Sequence, residues 1–234
     1  MIISSTKGIG VNALKMLVYG PSGVGKTSLA MTIKEPLLLI SAEAGLLPLR
    51  HSEIDVIDLT TVTKDKRIDM LAEAYTYLMT PEAQKKYKWI MIDSLSELSQ
   101  NLVEKLQVEF PDRKDSLVLY GENAKRMRSI VKLFRDLPHY NVIFTALDET
   151  EKDDNGMRFQ TIQMIGKISQ QLPAYFDEVF YMTTIEGVRK LVTGKSEKLV
   201  AKDRSGALEQ FEPADLGLIV AKIRKTNDTK EKIK

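Results

Sequence analysis

The sequence contains no cysteine among its 234 residues. This absence excludes disulfide bonds, zinc modules built on thiolates and a thiol nucleophile. It also fits the reducing interior of a cell, so a cytoplasmic location is expected. The two histidines, His51 and His139, are isolated from each other in the chain, so no histidine metal cluster is expected.

Long apolar runs and a strong net charge are also missing. No stretch of about 18 apolar residues occurs, which argues against a membrane-spanning helix. Residues 1–10 show no long apolar run after a basic start, so no secretory signal is expected. The formal net charge is only +2, which argues against a uniformly positive surface for nucleic acid but leaves a local basic surface open.

Apolar residues are plentiful enough for a core. They make up 43% of the chain, and they concentrate in short runs that predict buried strands. These runs cover 14–19, 36–41, 54–59, 89–92 and 141–147. Helices are predicted at 26–33, 65–79, 95–110, 121–137, 168–176 and 215–225.

The alternation of strands with helices predicts an α/β fold with a mostly parallel sheet flanked by helices. The last predicted strands are too close together for helical crossovers, so they predict a C-terminal antiparallel extension. These strands cover 178–184, 188–193 and 198–201. Loops are predicted at 111–119 and at the polar stretch 148–156, the second of them mobile. The chain divides into an N-terminal segment 1–13, one domain 14–225 and a charged tail 226–234.

A glycine-rich segment lies between the first predicted strand and the first predicted helix, and it matches the pattern G-x-x-x-x-G-K-[ST]. The residues expected to contact phosphate are Gly20, Pro21, Ser22, Gly23, Val24, Gly25, Lys26, Thr27 and Ser28. The glycines let backbone N–H groups point at phosphate oxygens, Lys26 reaches the β- and γ-phosphates, and the Thr27 hydroxyl coordinates magnesium. A chance match would require the flanking strand and helix to be coincidental too. The segment therefore predicts a site for ATP with Mg²⁺.

Two acidic residues follow predicted strands. Asp93 ends the run 89–92 and is the predicted second magnesium residue, although it would also suit the cap of the helix that follows. Glu43 comes just after the run 36–41, where parallel strands open onto a ligand crevice. A carboxylate there could orient and deprotonate the water that attacks the γ-phosphate; the alternative is a solvated loop glutamate.

The order of these elements resembles that of a known family of ATPases. Residues 37–45 (LLLISAEAG) resemble the strand of RecA-type ATPases that carries their catalytic glutamate. Residues 120–135 (YGENAKRMRSIVKLFR) followed by 141–146 (NVIFTA) look like the RecA helix and strand that precede the second DNA-binding loop. The resemblance covers residues 12–220 and implies a RecA-like P-loop ATPase core, most similar to the core-only RecA-type ATPases of bacteriophages. In that case the cytoplasm would be that of a bacterial host.

A later segment extends the resemblance. Lys202-Asp203-Arg204-Ser205-Gly206 is similar to the lysine-x-arginine element of RadA-like proteins. The resemblance implies that Lys202 and Arg204 reach the nucleotide of a neighbouring subunit, and hence that the protein is a homo-oligomer. The alternative is a polar turn. Where RecA places a sensing glutamine, this chain has Thr145-Ala146, so nucleotide sensing is expected to be rewired or absent. The segment before Leu14 is too short for a polymerisation helix and strand, which argues against stable filaments.

A contact with single-stranded DNA is predicted in the region that follows the fifth strand. Basic and aromatic residues together can track a DNA backbone and stack on its bases. The candidates are Lys152, Arg158, Phe159 and Lys167. Acidic residues at the start of this region oppose the prediction. The basic residues of the preceding helix, Arg126, Arg128, Lys132 and Arg135, are interpreted as a solvated face that could instead contact DNA.

The leading hypothesis is thus an ATPase of DNA recombination or single-strand annealing, with a single-strand DNA-binding protein as a further partner. A small-molecule kinase is the main alternative; no arginine-rich lid stands out, although Arg204 could belong to one. A GTPase would need an Asn-Lys-x-Asp element, which the sequence lacks. A nucleotide-binding scaffold without hydrolysis is the third alternative, and Glu43 argues against it.

Overall fold

The computed structural model describes residues 13–112, 115–194, 196 and 198–232. The predicted N-terminal segment 1–13 therefore lies outside the described residues, apart from residue 13. The strands are β1 (Lys15–Gly20), β2 (Leu37–Ser41), β3 (Asp55–Asp58), β4 (Trp89–Asp93), β5 (Asn141–Lys152), β6 (Arg158–Ile162), β7 (Glu178–Ile185), β8 (Val188–Val192), β9 (Lys202–Asp203) and β10 (Phe211–Pro213). The helices are α1 (Lys64–Leu78), α2 (Pro81–Lys86), α3 (Leu95–Glu109), α4 (Ser116–Arg135) and α5 (Leu216–Lys232). Short 3₁₀ helices cover Thr27–Thr32, Leu47–Leu49, Leu59–Thr61 and Leu172–Tyr175.

The strands form one sheet in the order β10-β8-β7-β1-β5-β4-β2-β3, with β6 paired to β5 and β9 paired to β7. The strands from β7 to β3 in this order are parallel to their neighbours. The pairs of β8 with β7 and with β10 are antiparallel. The predicted fold class, a mostly parallel sheet with a C-terminal antiparallel extension, is confirmed.

Both faces of the central strands are buried, which explains why they are continuous apolar runs in the sequence. Along β1, Leu17 and Tyr19 belong to the core that includes residues of α1, α3 and α4. Their neighbours Met16 and Val18 belong to the second core, which includes residues of α5. Among the described residues, no helix combines the length and the apolarity needed to cross a membrane.

The parallel arrangement decides where the functional segments meet. The carboxyl ends of parallel strands lie at the same edge of a sheet. At this edge Gly20 aligns with Leu147 of β5, and Ser41 of β2 aligns with Asp93 of β4. The glycine-rich segment 20–28, called the phosphate loop below, therefore shares one edge of the sheet with the segment after β2 and the end of β4.

The predicted loop at 111–119 is wrong over its second half. The Asp115 carboxylate accepts the N–H of Leu117 at 2.9 Å and caps α4, which begins at Ser116. The side chain of Leu117 is 78% exposed. Because the first turn of α4 places apolar side chains in solvent, its sequence shows no amphipathic pattern, and the helix start was not recognisable there.

The predicted mobile loop at 148–156 is a hairpin over most of its length. The strand β5 continues to Lys152 and pairs with β6 from Asp148 opposite Ile162 to Lys152 opposite Arg158. The turn is held by the Asp153 carboxylate, which accepts two backbone N–H groups. The hairpin has few buried side chains, so its pairing left no apolar run in the sequence.

Four smaller differences concern element type and length. The segment 198–201 is not a strand, and β9 and β10 follow it instead. The helices predicted at 26–33 and 168–176 are short 3₁₀ helices, Thr27–Thr32 and Leu172–Tyr175. The last helix, α5, continues to Lys232 and includes most of the stretch assigned to a charged tail.

Candidate active site

The phosphate loop curls directly after β1. Gly23 and Gly25 have positive φ angles of 77° and 104°, a conformation that residues with a Cβ rarely adopt. The curl brings the Lys26 ammonium back to the start of the loop, where Nζ donates to the carbonyl oxygens of Gly20 and Pro21 at 2.8 and 2.9 Å. The tip of the loop is exposed. The loop thus has an accessible backbone rim with a cation at its base.

Lys26 is only 7% exposed. This burial lowers its pKa, while the nearby carboxylates of Glu43, Asp93 and Asp148 act in the opposite direction. A buried ammonium is stabilised most by anionic groups that can accept its hydrogen bonds. Phosphate oxygens bound in the loop would be such partners, as the sequence motif predicts.

Asp93 lies at the end of β4 and is 1% exposed. Its Oδ2 accepts a hydrogen bond from the Thr27 hydroxyl at 2.6 Å. Its Oδ1 accepts a hydrogen bond from the hydroxyl of Thr145, a fully buried residue of β5. The structure therefore brings together the two residues predicted to hold magnesium, because the turn of the phosphate loop ends beside β4.

The donor set at this point suits magnesium. A hydroxyl and a carboxylate offer hard oxygen ligands, and Mg²⁺ usually takes one or two protein ligands together with waters and substrate phosphates. Within the described part of the chain, no group of three or more histidine or acidic side chains could enclose a metal ion. Thr27 and Asp93 are thus the residues that would hold a magnesium ion, shared with the phosphates.

Glu43 lies two residues beyond the end of β2. Its Oε1 accepts a hydrogen bond from the hydroxyl of Ser94. Burial raises the pKa of Glu43, and the carboxylates of Asp93 and Glu97 add to this effect, while the Ser94 hydrogen bond and Lys26 oppose it. A carboxylate with a raised pKa is a stronger base, which suits proton abstraction from water near neutral pH. The surroundings of Glu43 are therefore those of a site residue and not of a solvated loop.

The backbone keeps Glu43 and Asp93 next to each other. The N–H of Ala42 donates to the carbonyl oxygen of Asp93 at 2.6 Å, which extends the pairing of β2 with β4 past the strand end. The hydroxyl of Ser41 donates to the carbonyl oxygen of Glu43 at 2.8 Å. The peptide bond from Asp93 to Ser94 is cis. Both acidic side chains thus stand on segments held by hydrogen bonds.

Two polar contacts of the site had no assigned role in the sequence. Thr145 stands where the RecA-type resemblance expects a sensing glutamine, and Ser94 directly precedes the predicted helix 95–110. The signal that could have found them is positional. Thr145 is a polar residue inside the otherwise apolar stretch 142–147, and Ser94 follows the predicted magnesium residue directly.

The structure places Lys202 and Arg204 away from the phosphate loop of their own chain. In β9, Lys202 pairs with Val179 at the amino end of β7, whereas the phosphate loop follows the carboxyl end of β1. The Lys202 ammonium donates to the carbonyl oxygens of Pro173 and Phe176 at 3.0 and 2.6 Å. Arg204, with its side chain 56% exposed, pairs with Asp177 at 2.7 Å. Their role toward a neighbouring subunit stays a prediction.

The candidate DNA residues are partly grouped. Lys152 and Arg158 are exposed and lie opposite each other at the tip of the β5–β6 hairpin. Phe159 is half-buried opposite Glu151. Lys167 is exposed outside the hairpin, after the turn at Gly166. The hairpin continues β5 beyond the carboxyl edge of the parallel strands, the edge that carries the phosphate loop. The DNA contact stays a prediction.

Comparison with known proteins identifies the family and the fold. The model of a protein family described as an AAA domain matches residues 12–205. A type III secretion system ATPase of pathogenic bacteria has a similar structure, with 15% sequence identity and a TM-score of 0.50 over 73% of this chain and 52% of that chain. The assembled ATPase EscN of enteropathogenic E. coli gives 17% identity and a TM-score of 0.49 over 73% of this chain and 43% of that chain. This chain thus spans about half the length of these structures, and the likeness shows the fold alone. No curated protein matches the sequence.

Proposed function

This chain belongs to the AAA domain family of P-loop ATPases, and we propose that it hydrolyses ATP in a magnesium-dependent reaction. The observation that carries the proposal is the contact of Thr27 with Asp93 at 2.6 Å beneath the phosphate loop, with Glu43 on the adjacent strand end. This arrangement combines phosphate binding, two metal-binding oxygens and a base in one place.

The proposed reaction assigns one task to each group. The loop backbone and Lys26 bind the phosphate chain, and Thr27 and Asp93 hold the magnesium ion. When bound, that ion supplies positive charge to the β- and γ-phosphates. Glu43 accepts a proton from water as the water oxygen forms a bond to the γ-phosphorus. The bond from that phosphorus to the bridging oxygen breaks, and ADP leaves with the electron pair.

The test is steady-state ATP turnover by the full chain, with Mg²⁺ and with a chelator. Turnover that requires Mg²⁺ supports the proposal. A candidate small-molecule acceptor is included in a parallel reaction, because phosphate transfer to the acceptor instead of water would favour the kinase alternative. If the wild type neither bound nor hydrolysed ATP, the proposal would be refuted.

We further propose that the ATPase acts in DNA recombination or single-strand annealing, as the RecA-type resemblance implies. The support on the molecule is the exposed pair Lys152 and Arg158, which stands at the tip of a hairpin on the nucleotide edge. Cationic side chains there can contact a DNA backbone, and Phe159 nearby offers a ring. A single-strand DNA-binding protein is the proposed further partner.

Salt dependence tests the DNA proposal. Binding of single-stranded DNA should weaken as salt rises, because phosphate contacts release counterions. Replacing Lys152, Arg158 and Lys167 together by Ala should flatten that dependence. The matched control is a triple-alanine variant of three exposed lysines outside the candidate DNA regions, Lys34, Lys66 and Lys85. ATP turnover is measured with and without DNA. Absence of binding in low salt with ATP would leave the recombination role without support.

We also propose that the ATP site is completed between subunits of a homo-oligomer, with Arg204 as the residue contributed by the neighbour. Arg204 is mostly exposed, and its ion pair with Asp177 is a surface contact that a phosphate could replace. Lys202 is anchored on two carbonyls of its own chain, so it positions the segment that carries Arg204.

Mixing two inactive variants tests the shared site. Glu43→Gln subunits keep Arg204, and Arg204→Ala subunits keep Glu43. A shared site predicts that the mixture recovers ATP turnover, because some interfaces then contain both intact residues. It also predicts that specific activity rises with protein concentration. Activity independent of concentration, without recovery on mixing, would show that each subunit hydrolyses ATP alone.

A further inference from the structure

The hairpin formed by β7 and β8 lies against the phosphate loop at two points. A Cβ on Gly20 would lie 2.3 Å from the backbone oxygen of Met182 in β7. A Cβ on Gly25 would lie 2.8–3.2 Å from three atoms of the Arg189 guanidinium in β8. Gly20 is therefore required by the close approach of the β7 backbone, whereas Gly25 is required by its positive φ of 104° and lies next to the Arg189 side chain.

The hairpin fixes the backbone position of Arg189. Strands β7 and β8 are joined by the two-residue turn Glu186 and Gly187, both with positive φ, which is the geometry of a tight hairpin turn. Arg189 lies directly opposite Thr184 in the antiparallel pairing. The following residues of β8 also pair with β10, so the strand is fixed on both sides. The backbone position from which the Arg189 side chain reaches Gly25 thus follows from the sheet and not from a loose loop.

Among the described residues, the guanidinium of Arg189 forms no ion pair with a carboxylate. The residue is exposed. Other arginines behave differently, since Arg126, Arg135 and Arg204 each pair with an acid. An arginine without an acidic partner at the rim of an anion-binding loop has its hydrogen-bond donors available for the anion.

We propose that Arg189 binds the phosphate chain of the nucleotide in the same subunit, as a second cation opposite Lys26. This inference rests on the proposed ATP site and deepens it. The planar guanidinium has several N–H donors in a fork that matches phosphate oxygens. Lys26 approaches from the base of the loop, and Arg189 lies beside Gly25 on the hairpin. The two cations flank the loop, so binding is selective for nucleoside di- and triphosphates over uncharged nucleosides.

The test compares Arg189→Ala with the wild type and with Lys190→Ala. Lys190 is the matched control, because it is the next residue of the same strand, has the same charge and points to the opposite face. Affinity is measured for ATP and for inorganic tripolyphosphate, which has the phosphate chain but neither base nor sugar. Arg189→Ala should weaken both by the same factor, about 10-fold or more, as for other hydrogen bonds to charged groups. Lys190→Ala should bind both like the wild type.

A second variant separates charge from geometry. Arg189→Lys keeps the charge but loses the fork, so it should recover only part of the affinity. Thermal unfolding of each variant should match the wild type, since Arg189 is exposed and forms no ion pair with another described residue.

Three results would overturn the inference. Unchanged affinity of Arg189→Ala for both ligands would show that Arg189 does not contact the nucleotide. Loss for ATP with no loss for tripolyphosphate would place the contact on the base or the sugar. Equal loss in Lys190→Ala would point to the hairpin as a whole. If the wild type itself bound neither ligand, the proposed ATP site would fail first, which is distinguishable from failure of Arg189 alone.

Discussion

Two lysines of this protein have almost the same local chemistry at opposite ends of the sheet. The Lys26 ammonium donates to two backbone carbonyls at the carboxyl edge, and the Lys202 ammonium donates to two backbone carbonyls at the amino edge. Burial lowers the pKa of both side chains. The hydrogen-bond partners of a lysine therefore do not by themselves show whether it binds a ligand or holds the fold.

The two lysines differ in the residues that surround them. Lys26 stands on a glycine loop with an exposed rim, close to the buried carboxylate of Asp93 and the half-buried carboxylate of Glu43. Lys202 stands in a two-residue strand that ties the segment before β7 to the sheet. From this difference we predict nucleotide binding by Lys26 and anchoring within its own chain by Lys202, and each prediction has its own experimental test.

The largest effect is expected at Lys26. Lys26→Ala removes a cation aimed at the phosphates, and ATP turnover should fall on the order of 10³-fold, as when one charge-stabilising donor is removed from an active site. The fold should remain, because water can reach the exposed loop. Turnover and unfolding are measured together, with the exposed Lys34→Ala as control. Normal turnover in Lys26→Ala would refute the site assignment.

The two acidic residues should separate binding from chemistry. Glu43→Gln should bind ATP normally and hydrolyse it about 10²-fold more slowly, because the general base is lost. Asp93→Asn should instead weaken nucleotide binding that depends on magnesium, because one metal ligand is lost. The exposed Glu53→Gln serves as control in both assays. Equal loss of binding in both variants would contradict this division.

A smaller effect, on stability, is expected at Lys202. Lys202→Met keeps the aliphatic stem but leaves the carbonyls of Pro173 and Phe176 without their donor. The free energy of unfolding should fall by about 1–3 kcal/mol, the usual cost of an unsatisfied buried polar group. Denaturant unfolding and ATP binding are measured on the same preparation. Unchanged stability with lost ATP binding would mean that Lys202 contacts nucleotide, as Lys26 does.

A pH effect is expected at the same edge. Glu178 is fully buried, and burial raises its pKa to about 8, to which the neighbouring Asp203 contributes. Above the ordinary pKa of a glutamate, the unfolded chain releases the Glu178 proton, whereas the folded protein keeps it up to about pH 8. The free energy of unfolding therefore falls as pH rises from about 5 toward 8. The slope is at most about 1.4 kcal/mol per pH unit.

Glu178→Gln removes this pH dependence. In the wild type, Oε2 of Glu178 has no hydrogen-bond partner among the described residues. In Glu178→Gln, the side-chain amide at this position can donate a hydrogen bond to Asp203. The variant should therefore gain stability relative to the wild type at pH 8 and lose that advantage near pH 5. Denaturant unfolding at both values measures the difference, with Glu209→Gln as an exposed control. Parallel pH profiles for wild type and variant would contradict the prediction.

The central strands and the phosphate loop could be predicted because their signals are local. Strands buried on both faces appear as apolar runs, as in 14–19 and 89–92, and the loop is a contiguous motif. The β5–β6 hairpin and the first turn of α4 could not be predicted in the same way. Their side chains are largely exposed, so their stability comes from pairing and capping that leave no apolar pattern.

The sequence by itself was enough to predict the candidate site residues, since Lys26 and Thr27 belong to a contiguous motif and Asp93 and Glu43 lie at or just after strand ends. Only the tertiary structure decided what surrounds them. Strand β5 inserts between β1 and β4 and brings Thr145 to Asp93, and the β7–β8 hairpin places Arg189 beside Gly25. The physical reason is that strand order in a parallel sheet follows from how helices cover both faces. No local stretch of sequence encodes which strands become neighbours.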